Sequence, residues 1–398
     1  MIDENHIYTI SSDIEFSKFN ENEYLLHNLQ LNKYTKLNEK YYDLLSLVDG
    51  NKTLSEIQRE FQELNKIPLS QDQIESLFGQ LNKYGVFGHS DSIKENIKIP
   101  NYIKFGFIFL KSELVSKIVP FLSFLFKKSV YIPLFILSVI VFSFNLYINY
   151  HDYRELNIGK IFPYFMMLAF SSIIFHELGH ATASHHFKAK HGGIGFGFFI
   201  YFIPVFFADV TDIWRLNRWK RIIVNSAGVY FEIIFCLTLS IIGFFTKNQT
   251  IEILALVIAG KALYNLLPFL RADGYWILSD LLNKPNLNFH SINNLKLTVT
   301  SFFKRKKQNL DIKDYFIAFY GLFNIMLIGA FFYYQIILNR DSIIRFPLTV
   351  LNIITSAYHG GFTMSFNELV KSLSVLIFYI LSIKILFGFG KKLLKSFF

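Results

Sequence analysis

Long apolar runs dominate the chain after residue 130 and determine its predicted class. Six of these runs approach the about 20 residues that a helix needs to cross the hydrocarbon core of a bilayer. We therefore predict a mainly α-helical, polytopic membrane protein with about six transmembrane helices. The predicted crossings lie near residues 130–149, 160–186, 222–245, 251–273, 315–337 and 370–390.

A seventh apolar run, residues 193–207, is short, rich in glycine and interrupted by Pro204. Irregular backbone at membrane depth occurs only where protein or water surrounds it, so we expect a re-entrant strand or hairpin here rather than a crossing. Residues 91–129 are mixed apolar and basic, and they are predicted to form an interfacial linker. Residues 130–398 then form the transmembrane domain.

The N-terminal residues 1–90 have the pattern of a small α+β domain. The alternating stretch EYLLHNLQLNKYTKL predicts short strands, and three amphipathic helices follow it. The second helix is predicted to begin at a capping box of Thr53 and Glu56. The third is predicted to begin at Ser70 and to end at Gly85. These elements predict a winged-helix domain on the cytoplasmic side.

Basic residues are distributed unevenly among the connections between the apolar runs. The chain has 40 Lys and Arg against 30 Asp and Glu, and the excess follows the second, fourth and sixth predicted crossings. The positive-inside rule therefore predicts a multi-pass protein of the cell membrane with both termini in the cytoplasm. Nucleic-acid binding is not expected, because no basic stripe lies on a soluble domain. The single cysteine, Cys236, excludes a disulfide framework.

The sequence HELGH, residues 176–180, lies within the second predicted crossing. His176 and His180 are four residues apart, so on a helix their imidazoles project from one face and can bind one metal ion. Glu177 lies beside them, where it can accept a proton from water. A hydrolytic zinc site usually has three protein ligands and an open position, so a third ligand must come from elsewhere.

Two residues compete for the third ligand position. His186 would extend HELGH to a longer zinc-protease pattern, but Ala183 replaces the glycine at which that helix breaks. On a continuous helix His186 points to a different side from His176. Asp273, at the end of the fourth predicted crossing, is the better candidate, because a carboxylate beside a membrane segment is costly unless it is paired or binds a metal. The predicted topology brings Asp273 to the same depth as the histidines.

HELGH on a transmembrane helix, followed by NLLPFLRADG, resembles the site-2 protease family of intramembrane zinc metalloproteases. The resemblance covers about residues 130–285 of the chain. It implies that His176, His180 and Asp273 bind Zn²⁺ and that Glu177 is the catalytic base.

The same resemblance implies roles for residues outside the metal ligands. Asn265 occupies the Asn position of the family motif, which implies that it helps to place the substrate. The family often has a proline and a leucine at the positions of Arg271 and Ala272. Residues 193–207 match the region in which a membrane-inserted strand of the family is thought to hold the unwound substrate by main-chain pairing.

Residues 1–90 resemble the PqqD-like winged-helix modules that bind the leader peptides of ribosomally made peptides. The stretches KLNEKYYDLLSLVDGNKTLSEIQREF and LSQDQIESLFGQLNKYG carry this resemblance. It implies that a leader peptide binds along a strand edge. A regulatory or stabilising cytoplasmic domain is the alternative, because capped helices with an Asp-Gly turn are common.

The sequence therefore predicts an intramembrane zinc endopeptidase that acts in the maturation or export of a ribosomally made peptide. Its expected partners are a peptide or membrane-protein substrate, the lipid bilayer and a peptide exporter. Two alternatives stay open. One is a regulatory site-2-type protease that cleaves a membrane-anchored protein, and the other is a non-catalytic peptide-binding or export component.

Overall fold

The protein is described here by a computed structural model, whose contacts divide the chain into two compact units. The first unit comprises Met1–Tyr150 and Met167–Asn283, and the second comprises His151–Met166 and Lys284–Phe398. The structure describes residues 7–19, 23–29, 33–66, 70–88, 103–149, 158–199, 203–269, 272–304, 310–358, 371–372, 374–383 and 385–386.

The N-terminal part of the first unit is a three-stranded antiparallel sheet followed by three helices. The strands are β1 (Ile14–Lys18), β2 (Glu23–Asn28) and β3 (Lys33–Asn38), paired in the order β1-β2-β3. The helices are α1 (Glu39–Ser46), α2 (Leu54–Asn65) and α3 (Gln71–Lys83). Their apolar faces enclose a core in which Ile57, Ile74 and Phe78 are fully buried.

Side-chain caps determine where the helices of this domain begin. In α2 the Thr53 side chain accepts the N–H of Glu56, and the Glu56 carboxylate accepts the N–H of Thr53 at 2.8 Å. Ser70 begins α3 with an equivalent box. Each box satisfies two N–H groups that the first turn of a helix leaves without intrahelical partners. Gly85, at φ +67°, follows the end of α3. The predicted strands and helices are confirmed, and the winged-helix classification stays a prediction.

Among the described residues, four helices are long and apolar enough to cross a membrane. Their lengths of 22 to 29 residues match a hydrocarbon core of about 30 Å at about 1.5 Å per residue. Helices of this length are therefore present where the first, second, third and fifth crossings are predicted. They are α5 (Lys128–Asn149), α6 (Ile158–His186), α7 (Arg218–Thr246) and, extended by a π-helical turn to Leu338, α11 (Ile312–Tyr333).

The fourth predicted crossing, residues 251–273, is not one continuous helix. Helix α8 (Gln249–Tyr264) has 16 residues, and a new helix, α9 (Asp273–Leu281), begins at the residue predicted to end the crossing. Proline has no N–H to donate and disfavours helical backbone in the residue before it, so Pro268 prevents α8 from continuing. Of the predicted crossing at 370–390, the structure describes only part, which contains the short apolar helix Ser374–Ile383.

The apolar run 193–207 forms a β-hairpin, as predicted. Strands β5 (Ile194–Phe199) and β6 (Ile203–Ala208) are antiparallel, with Ile194 opposite Ala208. The predicted linker also contributes to this sheet, because β4 (Ile103–Leu110) pairs with β5 and gives the order β4-β5-β6. Helix α4 (Ser112–Leu122) follows β4, and residues 91–102 of the predicted linker lie outside the described residues.

Two contacts join the N-terminal sheet to the rest of the first unit. The hydroxyl of Tyr34 on β3 donates a hydrogen bond of 2.6 Å to Asp212, in the short 3₁₀ helix Thr211–Arg215 that follows β6. Burial and this hydrogen bond raise the pKa of Tyr34, so the phenol keeps the proton that it donates. The ring of Phe19 lies 5.0 Å from the guanidinium of Arg221 on α7.

The second unit consists mainly of helices. Helix α10 (Leu287–Lys304) packs along α11, and Gly321 lets the two backbones approach closely at Ser291. Helix α12 (Arg340–Tyr358) follows the π-helical turn, and its Ile343 carbonyl accepts a hydrogen bond from the hydroxyl of Tyr379.

Candidate metal centre

Two glycines let α6 and α7 approach each other closely at the centre of the first unit. A Cβ on Gly179 of α6 would overlap the carbonyl oxygen of Ala227 on α7, so this contact of backbones requires glycine. The next residue of α7, Gly228, faces the side chains of His176 and His180 on α6. The HELGH motif therefore lies against α7, where His176, Glu177 and His180 are buried.

The structure brings the two histidines of α6 and Asp273 of α9 together. One possible ligand atom from each of the three residues lies within 4.8 Å of the other two. The Nε2 atoms of His176 and His180 are 3.1 Å apart. Asp273 places Oδ2 at 3.0 Å from Nε2 of His176 and Oδ1 at 3.5 Å from Nε2 of His180. Both histidines are more than nine-tenths buried.

The hydrogen-bond partners of each imidazole determine which ring nitrogen carries the hydrogen and which presents a lone pair to Asp273. His180 places Nδ1 at 2.8 Å from the main-chain carbonyl of Val224. A carbonyl only accepts hydrogen bonds, so Nδ1 carries the hydrogen and the lone pair is on Nε2. His176 has an equivalent contact of 3.2 Å between Nδ1 and a carboxylate oxygen of Glu232. Both Nε2 atoms therefore offer lone pairs at the same point.

This arrangement of donor atoms fits a zinc ion. Ligand atoms at about 2.0–2.1 Å from a tetrahedral zinc ion are about 3.3 Å from one another. The Nε2–Nε2 distance and the distance from each Nε2 to its nearer Asp273 oxygen are close to this value, and a different carboxylate oxygen is nearer to each histidine. Without a cation, two lone pairs and a carboxylate would repel each other at these distances. In addition, Oδ2 of Asp273 is buried and has no hydrogen-bond partner among the described residues. The residues present therefore fit a bound zinc ion with two imidazole ligands and one carboxylate ligand.

A tight turn between α8 and α9 fixes the position of Asp273. The N–H of Gly274 donates to the main-chain carbonyl of Asn265 at 2.9 Å. A Cβ on Gly274 would overlap the carbonyl of Leu266, so only glycine fits here. The main chain of Asn265 thus helps to hold the aspartate, and the substrate-placing role of its side chain stays a prediction. Arg271 lies outside the described residues.

Glu177 is buried beside His176 and is held by the β-hairpin. One carboxylate oxygen of Glu177 accepts a hydrogen bond of 2.6 Å from the N–H of Ala208, at the end of β6. Glu177 is 9% exposed. The hairpin predicted from residues 193–207 therefore ends in contact with the residue predicted to be the catalytic base.

His186, the competing candidate for the third ligand, and two nearby aspartates lie outside this ligand group. The ring of His186 lies 5.8 Å from that of Phe126 and 5.0 Å from that of Phe187. Asp209 accepts hydrogen bonds from Thr211 within its own loop. Asp212 accepts from Tyr34, as described above, and from the N–H of Lys190 at 2.6 Å. These contacts indicate that His186 packs against aromatic rings and that Asp209 and Asp212 are loop residues.

Sequence reasoning missed four charged residues that surround the site. Glu232 of α7 is fully buried and pairs with Lys261 of α8 at 2.6 Å. Arg221 of α7 forms a buried ion pair of 2.6 Å with Asp280 of α9, two turns after Asp273. For Glu232 and Lys261 a signal was present, since charged residues inside apolar runs of a membrane protein are costly and usually functional.

No known protein family and no solved structure matches the chain. One curated protein is similar over part of the chain: "Putative peptide zinc metalloprotease protein YydH" of Bacillus subtilis (strain 168). The two sequences are 31% identical over 116 residues, which cover 29% of this chain and 44% of the relative. The chain thus matches less than half of the relative's length. These comparisons do not support the resemblance of residues 1–90 to leader-binding modules, which stays a prediction. Over part of its length the chain is similar to a protein named as a zinc metalloprotease.

Proposed function

We propose that this chain is an intramembrane zinc endopeptidase that hydrolyses a peptide bond of a small peptide precursor, in the maturation or export of a ribosomally made peptide. The observation that carries the proposal is the convergence of His176, His180 and Asp273 within 4.8 Å, with Glu177 buried beside them. The helices of membrane-spanning length and the partial similarity to a zinc metalloprotease support it.

The residues of the site divide the chemistry between them. A zinc ion held by the two histidines and Asp273 would polarise the scissile carbonyl and lower the pKa of a water molecule. Glu177 accepts the proton from the attacking water and delivers it to the leaving amine. The N–H of Ala208 holds the Glu177 carboxylate in place, so that this proton transfer needs little reorganisation.

An edge of the β4-β5-β6 sheet offers a place for the substrate beside Glu177. A helical peptide bond is shielded by its own hydrogen bonds, so the substrate must be extended before it is cut. Strand β6 pairs with β5 on one side, and the N–H of its last residue, Ala208, donates to Glu177. An extended substrate that pairs with the outer edge of β6 would run past the catalytic carboxylate.

The distribution of charge supports a site that opens to the cytoplasm. His176 and His180 lie near the C-terminal end of the span Ile161–His186, and Lys188 and Lys190 follow that end directly. Positive residues favour the cytoplasmic side, which places the site near the cytoplasmic face with both termini in the cytoplasm. Water then reaches the site from the cytosol. The domain formed by residues 1–90 would lie on the same side, where it can bind a leader peptide before cleavage.

Cleavage by purified protein in liposomes tests this proposal. The full chain would be reconstituted in phosphatidylethanolamine and phosphatidylglycerol with synthetic peptides that each contain one apolar segment, and products would be identified by mass spectrometry. We expect cleavage inside or next to the apolar segment. The activity should stop when 1,10-phenanthroline removes the metal, and it should return when zinc is added, because the site fits this ion.

Two results would contradict the proposal. One is cleavage that continues at an unchanged rate after metal analysis shows the zinc to be gone. The other is zinc-loaded, folded protein that cleaves no peptide of the panel and no small membrane peptide of a total bacterial extract. The second result would favour a non-catalytic peptide-binding or export component.

A further inference from the structure

A buried carboxylate outside the proposed ligand group joins three helices at the metal centre. Glu232 on α7 is 0% exposed. One of its oxygens lies 3.2 Å from Nδ1 of His176 on α6. Its other oxygen lies 2.6 Å from Nζ of Lys261 on α8 and 3.1 Å from the hydroxyl of Ser172, one turn before His176 on α6.

Burying the charge of this carboxylate is costly, which indicates that the charge has a role in the site. Removing an ion from water is costly even after the protein relaxes, and a partner of opposite charge must offset that cost. Lys261 supplies the opposite charge at one oxygen and leaves the other oxygen for His176. An ionised carboxylate only accepts hydrogen bonds, so it selects the imidazole form whose hydrogen is on Nδ1. The Nε2 lone pair then points towards Asp273 and His180.

The two histidines are held in different ways. His180 donates to the main-chain carbonyl of Val224, which the fold of α7 fixes. His176 depends on a side chain, and that side chain depends on Lys261 for its charge balance. The orientation of His176 therefore depends on a hydrogen bond to a side chain of another helix, whereas that of His180 depends on a hydrogen bond to the main chain.

We propose that Glu232, paired with Lys261, is a positioning residue that orients His176 for metal binding. This inference rests on the proposed function, because it takes the ligand group to be a zinc site. Glu232 touches neither the peptide nor the reacting atoms. It acts through His176, as carboxylates hydrogen-bonded to ligand histidines do in other metal sites, where their loss typically costs about 10–100-fold in metal affinity or activity.

Zinc affinity measured by competition with a chelator, without any peptide, tests this inference. The variants are Glu232→Gln and the double variant Glu232→Gln with Lys261→Gln, and the control is Glu252→Gln. Glu252, on α8, is another buried carboxylate. It accepts a hydrogen bond of 3.0 Å from the side chain of Asn149 and is not part of the metal site. We expect zinc affinity to fall by about 10–100-fold in Glu232→Gln and to stay at the wild-type value in Glu252→Gln.

The double variant distinguishes the loss of His176 orientation from the effect of the unpaired charge on Lys261. Glu232→Gln alone leaves Lys261 as an unpaired cation near a cation site, so removing that charge should recover part of the lost affinity. The double variant stays weaker than wild type, because a neutral amide orients His176 less firmly than a carboxylate does. It also decides the matter if the single variant does not fold, since it buries no unpaired charge.

Wild-type zinc affinity in the folded single or double variant would overturn the inference, and so would an equal loss in Glu252→Gln. These outcomes leave the proposed function intact, provided that the wild-type chain binds zinc and cleaves peptide. Conversely, a wild-type chain that binds zinc tightly but cleaves nothing would end the protease proposal without affecting the role of Glu232.

Discussion

Replacing Gly228 by alanine is expected to remove zinc from the protein. A Cβ at this position would lie 2.5 Å from Nε2 of His176 and from Nε2 of His180, so it would occupy the space between the two imidazoles. Either the imidazoles turn away or α6 and α7 move apart, and both changes displace ligand atoms. Losing the hydrogen-bond partner of a metal ligand typically lowers metal affinity by about 10–100-fold. Displacing the ligands themselves should lower the affinity at least as much. Zinc per chain after dialysis against a weak chelator measures the effect.

Gly260→Ala is the matched control for this substitution. Gly260 lies in α8, and a Cβ there would meet nothing within 4 Å among the described residues. Alanine in the interior of a helix is favoured over glycine by roughly 0.5–1 kcal/mol, so the control should keep its zinc and its stability. Wild-type zinc content in Gly228→Ala would mean that α7 does not lie against the histidine pair.

Replacing Glu177 by glutamine is expected to abolish cleavage and to leave zinc binding unchanged. Glutamine has the shape of glutamate, and its carbonyl can still accept the Ala208 N–H, but it cannot accept a proton from water at neutral pH. General base catalysis typically contributes about 10²–10⁴-fold, so the cleavage rate should fall by this factor. Initial rates in liposomes and zinc content on the same preparation give the two readings.

Glu252→Gln is again the control, since it makes the same substitution in a buried carboxylate outside the site. We expect it to cleave the peptide at the wild-type rate. Full cleavage by Glu177→Gln would remove the proposed base from the mechanism. Loss of zinc together with activity would instead assign Glu177 to the metal site itself.

Local sequence patterns predicted the parts of this structure that depend on near neighbours. The spacing of His176 and His180 places both side chains on one face of a helix whatever surrounds it. The capping box at Thr53 works in the same way, because both of its hydrogen bonds form within one helical turn. Such features depend on the periodicity of the helix, so the spacing of residues in the sequence is enough to predict them.

The apolar composition of residues 251–273 did not reveal the break after α8. Residues 251–273 are apolar enough for a crossing, and hydropathy averaged over such a window does not detect a turn. Pro268 was a visible sign of that turn, and Gly274 was another, since its N–H closes the loop on Asn265. These two residues indicate a bend beside Asp273, but their positions alone do not show that a new helix begins there.

Long-range pairs could not be derived from one sequence. His176 and Glu232 are separated by 56 residues, and Arg221 and Asp280 by 59. No periodicity connects positions on different helices, so their contact follows only from packing. Glu232 could have been singled out as a charge in an apolar run, but its partner could not. The same reason explains why β4 was taken for a linker, since its partner strand β5 is distant in sequence.

Zinc content is the most direct test of whether two helices distant in sequence, α6 and α9, provide one metal site. Purified wild-type protein, Asp273→Ala and His186→Ala would be compared by mass spectrometry of bound metal after identical dialysis. We expect about one zinc per chain in wild type and in His186→Ala, and a strong loss in Asp273→Ala, as for a site with three protein ligands. Zinc lost from His186→Ala and retained in Asp273→Ala would contradict this expectation.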